Sequence, residues 1–209
     1  VSDPRVLVVR HGESTWNAVR RWQGQADPPL SRRGETQAER AVEAALELGG
    51  FDAVASSDLR RARSTGSIIA TRLGLDLLPA ESGLSERSAG EWEGLTRGEI
   101  EARYPGYLAD GRRPSGYESD ESIVDRSSRA LRLLVDRHPG RTLLVVSHGG
   151  IIHALERAHS DSDDGWQRLD NLAGRWFAVD RDSIVPDGPR VALVPDGGPA
   201  IPPPDRHYT

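Results

Sequence analysis

The sequence predicts a three-layer α/β/α sandwich with a mostly parallel central sheet and a small lid segment at about 95–119. Three observations carry that expectation. Short apolar runs rich in Val and Leu alternate with amphipathic stretches of helical length. Glycine marks the joins, as at Gly12, Gly49-Gly50, Gly74 and Gly149-Gly150. Two of the runs, Val6-Leu7-Val8-Val9 and Thr142-Leu143-Leu144-Val145-Val146, lead almost directly into a histidine followed by glycine. In an open parallel sheet the carboxyl ends of the strands form the ligand crevice, so His11 and His148 are expected to face one pocket.

Element by element, Arg5–Arg10 is the first expected strand. A helix over Ser31–Leu48 follows, with Ser31 as N-cap, Glu35 in its early turns and Gly49-Gly50 to stop it. Ala53–Ser56 is the second strand and Leu59–Leu73 the second helix, closed by Gly74. Leu75–Leu78 is expected as a short third strand. Thr96–Arg103 is expected to be helical because Thr96 and Glu99 have capping-box spacing, and Pro105 breaks the pattern. Asp120–His138 carries an apolar stripe of Ile123, Ala130, Leu131, Leu134 and Val135. Thr142–Ser147 and Gly150–Ala158 then form a strand and a helix, and Arg175–Val179 and Val191–Val194 are late strands. Residues 1–194 thus read as one catalytic domain. The stretch 195–209, with Pro202-Pro203-Pro204 and His207, reads as an extended tail.

Composition limits the class. The chain has 209 residues, 28% charged and 36% hydrophobic, enough for one α/β domain with a full core. No apolar stretch approaches the ~20 residues needed to cross a bilayer, and no signal-peptide pattern opens the chain. A cytoplasmic location without membrane partners is therefore expected. Cysteine is absent, which excludes disulfides and thiolate metal sites. Lysine is absent and arginine occurs 27 times, so every contact to an anion by a permanently cationic side chain uses a guanidinium, a planar group suited to phosphate. A net charge of −5 argues against a nucleic-acid partner. A homodimer through a sheet edge or the tail is left open.

Four polar clusters fall at successive expected strand ends. They are Arg10-His11-Gly12-Glu13-Ser14-Thr15-Trp16-Asn17, Ser56-Ser57-Asp58-Leu59-Arg60-Arg61-Ala62, Leu84-Ser85-Glu86-Arg87-Ser88-Ala89-Gly90-Glu91-Trp92-Glu93-Gly94-Leu95 and Ser147-His148-Gly149-Gly150. Two imidazoles set against each other across a pocket suit covalent phosphoryl transfer. That chemistry needs an in-line nucleophile and preorganised positive donors around three equatorial oxygens.

In this order and spacing the clusters resemble the histidine phosphatase superfamily, also called phosphoglycerate-mutase-like, over about residues 5–158. The stretch from Gln23-Gly24 through Asp27, Leu30-Ser31 and Gly34 to Gln37-Ala38 resembles the segment that follows the family's first motif. The resemblance implies that His11 is the nucleophile, oriented by the carbonyl of Gly12, with Arg10 and Arg61 clamping the phosphate. It implies that His148 is held protonated by the bound dianion, and that Glu86 is the acid for the leaving alkoxide and then the base for water. Arg61 takes this role rather than Arg60 because the motif places its arginine just before alanine; Arg60 is expected in a surface ion pair. Asn17, Gln23, Gly24 and Gly149 are expected around the substrate, and Glu91 and Glu93 as surface or lid carboxylates. Trp16, Trp22 and Trp92 are expected to pack.

The activity implied is a metal-independent phosphomonoesterase acting on a small phosphorylated metabolite, with no cofactor. The alternative is a cofactor-dependent phosphoglycerate mutase. Only 62 positions separate Glu86 from His148, the chain has no lysine, and Ser88-Ala89 follow Glu86-Arg87; each departs from the mutase pattern. Arg112-Arg113 in the lid keeps the mutase reading open, since two guanidiniums can hold a second anionic group. A metal held by His148, His153, His159, Asp161, Asp163 and Asp164 is not expected. The five-residue step from His148 to His153 does not stack two side chains on one helix face.

Overall fold

In the computed structural model, residues 4–159 and 169–194 are described. Expected positions in the 195–209 tail, His207 included, and Asp161, Asp163 and Asp164 lie outside them. Strands β1 (Arg5–Arg10), β2 (Ala53–Ser56) and β3 (Leu143–Ser147) run parallel. Strand β4 (Ala173–Val179) lies antiparallel beside β1, and β5 (Ile184–Ala192) antiparallel beside β4. The order across the sheet is β2-β3-β1-β4-β5.

The twofold period of a strand sorts its side chains between two helical layers. Val6, Val8, Leu143 and Val145 join a core with Ile123, Leu131 and Leu134 of α5 (Asp120–Arg137) and Ile151, Ile152 and Leu155 of α6 (Gly149–Arg157). Leu7, Val9, Leu144 and Val146 face the other way. They meet Ala38, Ala41 and Ala45 of α2 (Arg32–Glu47) and Ala62, Ile69 and Ala70 of α3 (Arg60–Leu73). The three expected layers are present, with the sheet mixed only where β4 and β5 join it.

Helix ends follow local chemistry. Ser31 accepts from the Gly34 amide to cap α2, and Gly74 ends α3 in the left-handed conformation. Thr96 and Glu99 form a reciprocal capping box on α4 (Arg97–Arg103). A short helix α1 (Thr15–Ala18) takes up the end of the first polar cluster. Segment 95–119 builds on its own apolar cluster of Trp92, Leu95 and Ile100, with Trp22, Tyr104, Tyr107 and Tyr117 packed around it.

Two strand expectations need correction. Leu75–Leu78 is not a strand: a single bridge, Val54 with Leu77, touches β2. Pro79 follows and has no N–H to continue a ladder. The last strand is not Val191–Val194 but Ile184–Ala192, starting seven residues earlier through Pro186, Gly188 and Pro189. These residues look like a turn in the sequence. They are accommodated because β5 is an edge strand with an irregularity opposite Arg175–Phe177. No helix among the described residues is long and apolar enough to cross a membrane.

Close backbone approach fixes the β1–β4 seam. A Cβ on Gly174 would lie 2.1 Å from the Val8 carbonyl oxygen and 2.7 Å from Val9 Cα. Gly174→Ala should therefore cost about 1–3 kcal/mol or more in urea unfolding. Gly98→Ala, on α4 with nothing within 4 Å of the added atom, should be neutral or stabilising by up to about 1 kcal/mol. Equal stabilities for the two variants would contradict this account of the seam.

Candidate active site

Parallel pairing brings three strand ends to one edge. Arg10 is in register with Ser147 and Ser56 with Val146, so His11, Ser57 and His148 follow side by side. The amides of His11 and Ser57 donate to the Ser147 and Val146 carbonyls, each at 3.0 Å, and carry the register one residue past the strands. The His11 and His148 rings lie 5.1 Å apart, inclined at 62°.

The tautomer of His11 follows from its two contacts. Its Nδ1 lies 2.6 Å from the Gly12 carbonyl oxygen, which only accepts, so Nδ1 carries the proton. Its Nε2 accepts from Arg61 Nε at 3.2 Å and so presents a lone pair. Burial, then the charges of Arg61 and Arg10, hold the imidazole well below its ordinary pKa, against the Gly12 hydrogen bond. The Gly12 amide donates to Thr65 Oγ1 at 3.1 Å, and Asn171 Nδ2 donates to the His11 carbonyl at 2.8 Å.

Arg61, near the start of α3, is fully buried. Its Nη1 and Nη2 donate to the carbonyls of Ala26 and Gly24, each at 2.8 Å. Burial pulls its pKa below the ordinary value, while the charges of Glu86, Asp27 and Glu93 oppose that pull. Arg10 donates from Nη1 to the Leu169 carbonyl at 2.6 Å and lies beside Gly149, the first residue of α6.

His148 caps α6 from its N-terminal side and is completely buried. Its Nε2 lies 2.9 Å from Ser57 Oγ, and its Nδ1 is buried without a hydrogen-bond partner. Burial first, then Arg61, His11, Arg126 and Arg10, drive its pKa well down. Both imidazoles are thus neutral in the free protein, so the expected proton on His148 requires an anion to arrive. Glu86 sits over the start of α6, accepting from the Gly150 amide at 3.2 Å and the Arg87 amide at 2.8 Å.

The structure brings His11, Arg10, Arg61, Glu86, His148 and Gly149 to one strand edge. It puts other expected residues to different use. Asn17 Oδ1 accepts from the Ser14 amide in the cap of α1, and Gln23 Oε1 accepts from Ser14 Oγ at 2.5 Å. Gly24 offers its carbonyl to Arg61. Glu93 is not simply a surface carboxylate: it accepts from the amides of Gln25, Ala26 and Ala89. Arg112 pairs with Asp110 at 2.8 Å and lies over Tyr107, while Arg113 lies over Trp92 and Tyr117. His153 Nδ1 lies 3.1 Å from Arg190 Nη2, and burial with the Arg190 charge lowers its pKa to about 4. Sequence reasoning missed Ser57, Thr65 and Asn171. Ser57 lies in the second polar cluster, whereas Asn171 sits beyond the stretch that carries the resemblance.

Comparison with known proteins adds a family. The sequence profile of the histidine phosphatase superfamily (branch 1) matches residues 6–185. A phosphoglycerate mutase-like protein 4 of Arabidopsis thaliana is 38% identical over 161 residues, covering 73% of this chain and 70% of that protein. A probable phosphoglycerate mutase of Escherichia coli is 42% identical over 152 residues, 69% of each chain. Among solved structures, a mycobacterial glucosyl-3-phosphoglycerate phosphatase in complex with VO3 superposes with a TM-score of 0.74 at 30% identity. That match covers 88% of this chain and 96% of the phosphatase.

Two buried imidazoles, His11 and His148, and the part-buried His153 have lowered pKa values that set a pH dependence of stability. Between the ordinary pKa of about 6.5 and the lower folded values, the unfolded chain binds protons that the folded chain refuses. Stability should therefore fall as pH drops below about 6.5, by about 1.4 kcal/mol per pH unit for each imidazole. For His153 the loss continues down to about pH 4. Urea midpoints measured from pH 7.5 downward check this; a flat profile to about pH 5 would contradict it.

Proposed function

The chain belongs to the histidine phosphatase superfamily, and from that premise we propose that it is a metal-independent phosphomonoesterase that hydrolyses a small phosphorylated metabolite through a phosphohistidine on His11. The observation that carries the proposal is the locked tautomer: Nδ1–H is held by the Gly12 carbonyl, and Nε2 keeps its lone pair under a guanidinium. A neutral, oriented imidazole is the form that attacks phosphorus.

In the first half-reaction the Nε2–P bond forms and the P–O bond to the leaving group breaks. Glu86 gives a proton to the departing alkoxide. Arg61 and Arg10 turn N–H groups to the equatorial oxygens, the Arg61 Nε–H leaving the His11 Nε2 lone pair as it does so, and the α6 N-terminus adds the backbone donor at Gly149. The entering dianion offsets the two guanidiniums and lets His148 take a proton from solvent, adding a third positive donor. In the second half-reaction Glu86 accepts a proton from water, the water oxygen bonds phosphorus, and the P–N bond breaks to release inorganic phosphate. Segment 95–119, which bridges to Ala89 through Tyr117, serves as the lid.

The names of the sequence relatives favour a second reading, a mutase that returns the phosphoryl group to another hydroxyl. Against it, Arg112 and Arg113 are engaged with Asp110 and with the lid aromatics, and the chain has no lysine. The likeness to a phosphatase along nearly its whole length also supports hydrolysis.

His11→Ala should abolish both turnover and an acid-labile, base-stable phosphoenzyme; more than a few per cent of residual hydrolysis would refute the covalent route. Activity should survive EDTA, because guanidiniums and an imidazolium supply the positive charge, and vanadate should inhibit. Glu86→Gln should slow hydrolysis of alkyl phosphates far more than phosphorylation of the enzyme by p-nitrophenyl phosphate, whose leaving group scarcely needs a proton. With 3-phosphoglycerate, with or without 2,3-bisphosphoglycerate, no more than traces of the 2-phospho isomer should form. Rapid interconversion of the two would make the chain a mutase.

A further inference from the structure

The cradle that holds Arg61 is itself held. Its two carbonyls belong to Gly24 and Ala26, in a loop with no regular secondary structure between α1 and α2. Glu93 secures that loop from 68 residues away, accepting from the Gln25 amide at 2.8 Å through Oε1 and from the Ala26 amide at 3.1 Å through Oε2. Oε1 also accepts from the Ala89 amide at 3.2 Å, which ties the loop to the strand-end segment carrying Glu86. The approach is close enough that a Cβ on Gly24 would lie 2.1 Å from Glu93 Oε1, and Gly24 has a φ of +51°. Flanking bonds from Gly94 N to the Trp22 carbonyl, 2.8 Å, and from Trp22 N to the Leu95 carbonyl, 2.9 Å, hold the two segments in line.

We infer that Glu93 is a positioning residue for Arg61: its carboxylate fixes the 24–26 loop, whose carbonyls aim the Arg61 guanidinium so that Nε meets His11 Nε2. The chain of contacts runs without a gap from Glu93 to the Gln25 and Ala26 amides, from the Gly24 and Ala26 carbonyls to Arg61, and from Arg61 to His11. A carboxylate suits this place for two reasons. It only accepts, and here it meets three N–H groups at once. Its negative charge also supports the buried guanidinium behind the loop. Glu93 touches neither imidazole through any of these bonds, so its effect on the chemistry passes through Arg61.

The inference rests on His11 as the phosphoryl acceptor, and its test includes a measurement on the resting protein that needs no turnover. Glu93→Ala leaves three amides without their acceptor and lets the cradle relax; Glu93→Gln keeps one oxygen, enough for part of the set. In the Ala variant kcat should fall about tenfold or more while KM stays within about threefold, as expected for a donor displaced by a fraction of an ångström. The Gln variant should recover much of that loss. Arg61→Ala and the Glu93→Ala/Arg61→Ala double variant should be equally impaired, since one residue works through the other.

His11 faces Arg10 on β1, Arg61 on α3 and His148 at the cap of α6. Withdrawal of Arg61 alone should raise the His11 titration, read by 15N NMR of the imidazole, by about half a pH unit or more. Three results would each overturn the inference: kcat of Glu93→Ala within about twofold of the parent, Glu93→Gln as impaired as Glu93→Ala, or additive losses in the double variant. An unmoved His11 titration in the folded Ala variant would do the same. If His11→Ala retains turnover, the phosphohistidine reading fails while the NMR shift still reports whether Glu93 positions Arg61.

Discussion

Arg61 places a guanidinium where no solvent reaches it, and removing such a charge from water costs several kcal/mol unless its N–H groups are met. Three of its five are met, by the Gly24 and Ala26 carbonyls and by the His11 ring. The loop and the ring come from different parts of the chain, so the arrangement forms only when β1, the 24–26 loop and the start of α3 have all taken their places. Thr65, one turn further along α3, accepts from the Gly12 amide and donates to the Arg61 carbonyl, binding the helix to the nucleophile's own backbone. The sheet and helices therefore serve as a frame for one buried cation.

That cation also explains the charge state of its neighbours. Two imidazoles within 5.1 Å of each other, with Arg10 and Arg61 beside them, cannot both be charged in a dry pocket. Burial and the guanidiniums leave both neutral. His148 Nδ1 is buried without a hydrogen-bond partner. The resting site is thus rich in positive donors and short of an anion, an electrostatic imbalance that a phosphate dianion corrects.

The frame was largely legible in the sequence because it rests on local periodicity. Runs such as Val6–Val9 and Leu143–Val146 are buried on both faces and read as continuous apolar strands, and caps at Ser31, Gly74 and Thr96 mark helix ends within a residue or two. Leu75–Leu78 and the last strand failed for opposite reasons. The first has strand-like residues but makes one bridge before Pro79; the second carries two prolines and a glycine that an edge strand tolerates. Within the site, side chains that act directly follow strand ends and could be found. Glu93, Ser57 and Asn171 act by meeting backbone or a ring across 68, 91 and 160 positions. Such bonds leave no periodicity, and only the folded chain reveals them.

Asn171 has a consequence for the order in which the protein becomes itself. Its amide holds the His11 carbonyl, the Leu169 carbonyl holds Arg10, and the Leu172 amide donates to the Arg10 carbonyl. A chain still emerging from the ribosome at position 148 already contains both imidazoles, both arginines and Glu86, yet lacks all three clamps. At 5–20 residues per second the missing piece is made about one to five seconds later. Until β4 docks beside β1, the first strand also has an open edge, and before residue 169 is made Arg10 lacks the Leu169 carbonyl. Reactive groups encoded early are thus brought into alignment by a late segment, and the unfinished polypeptide carries its chemistry unassembled.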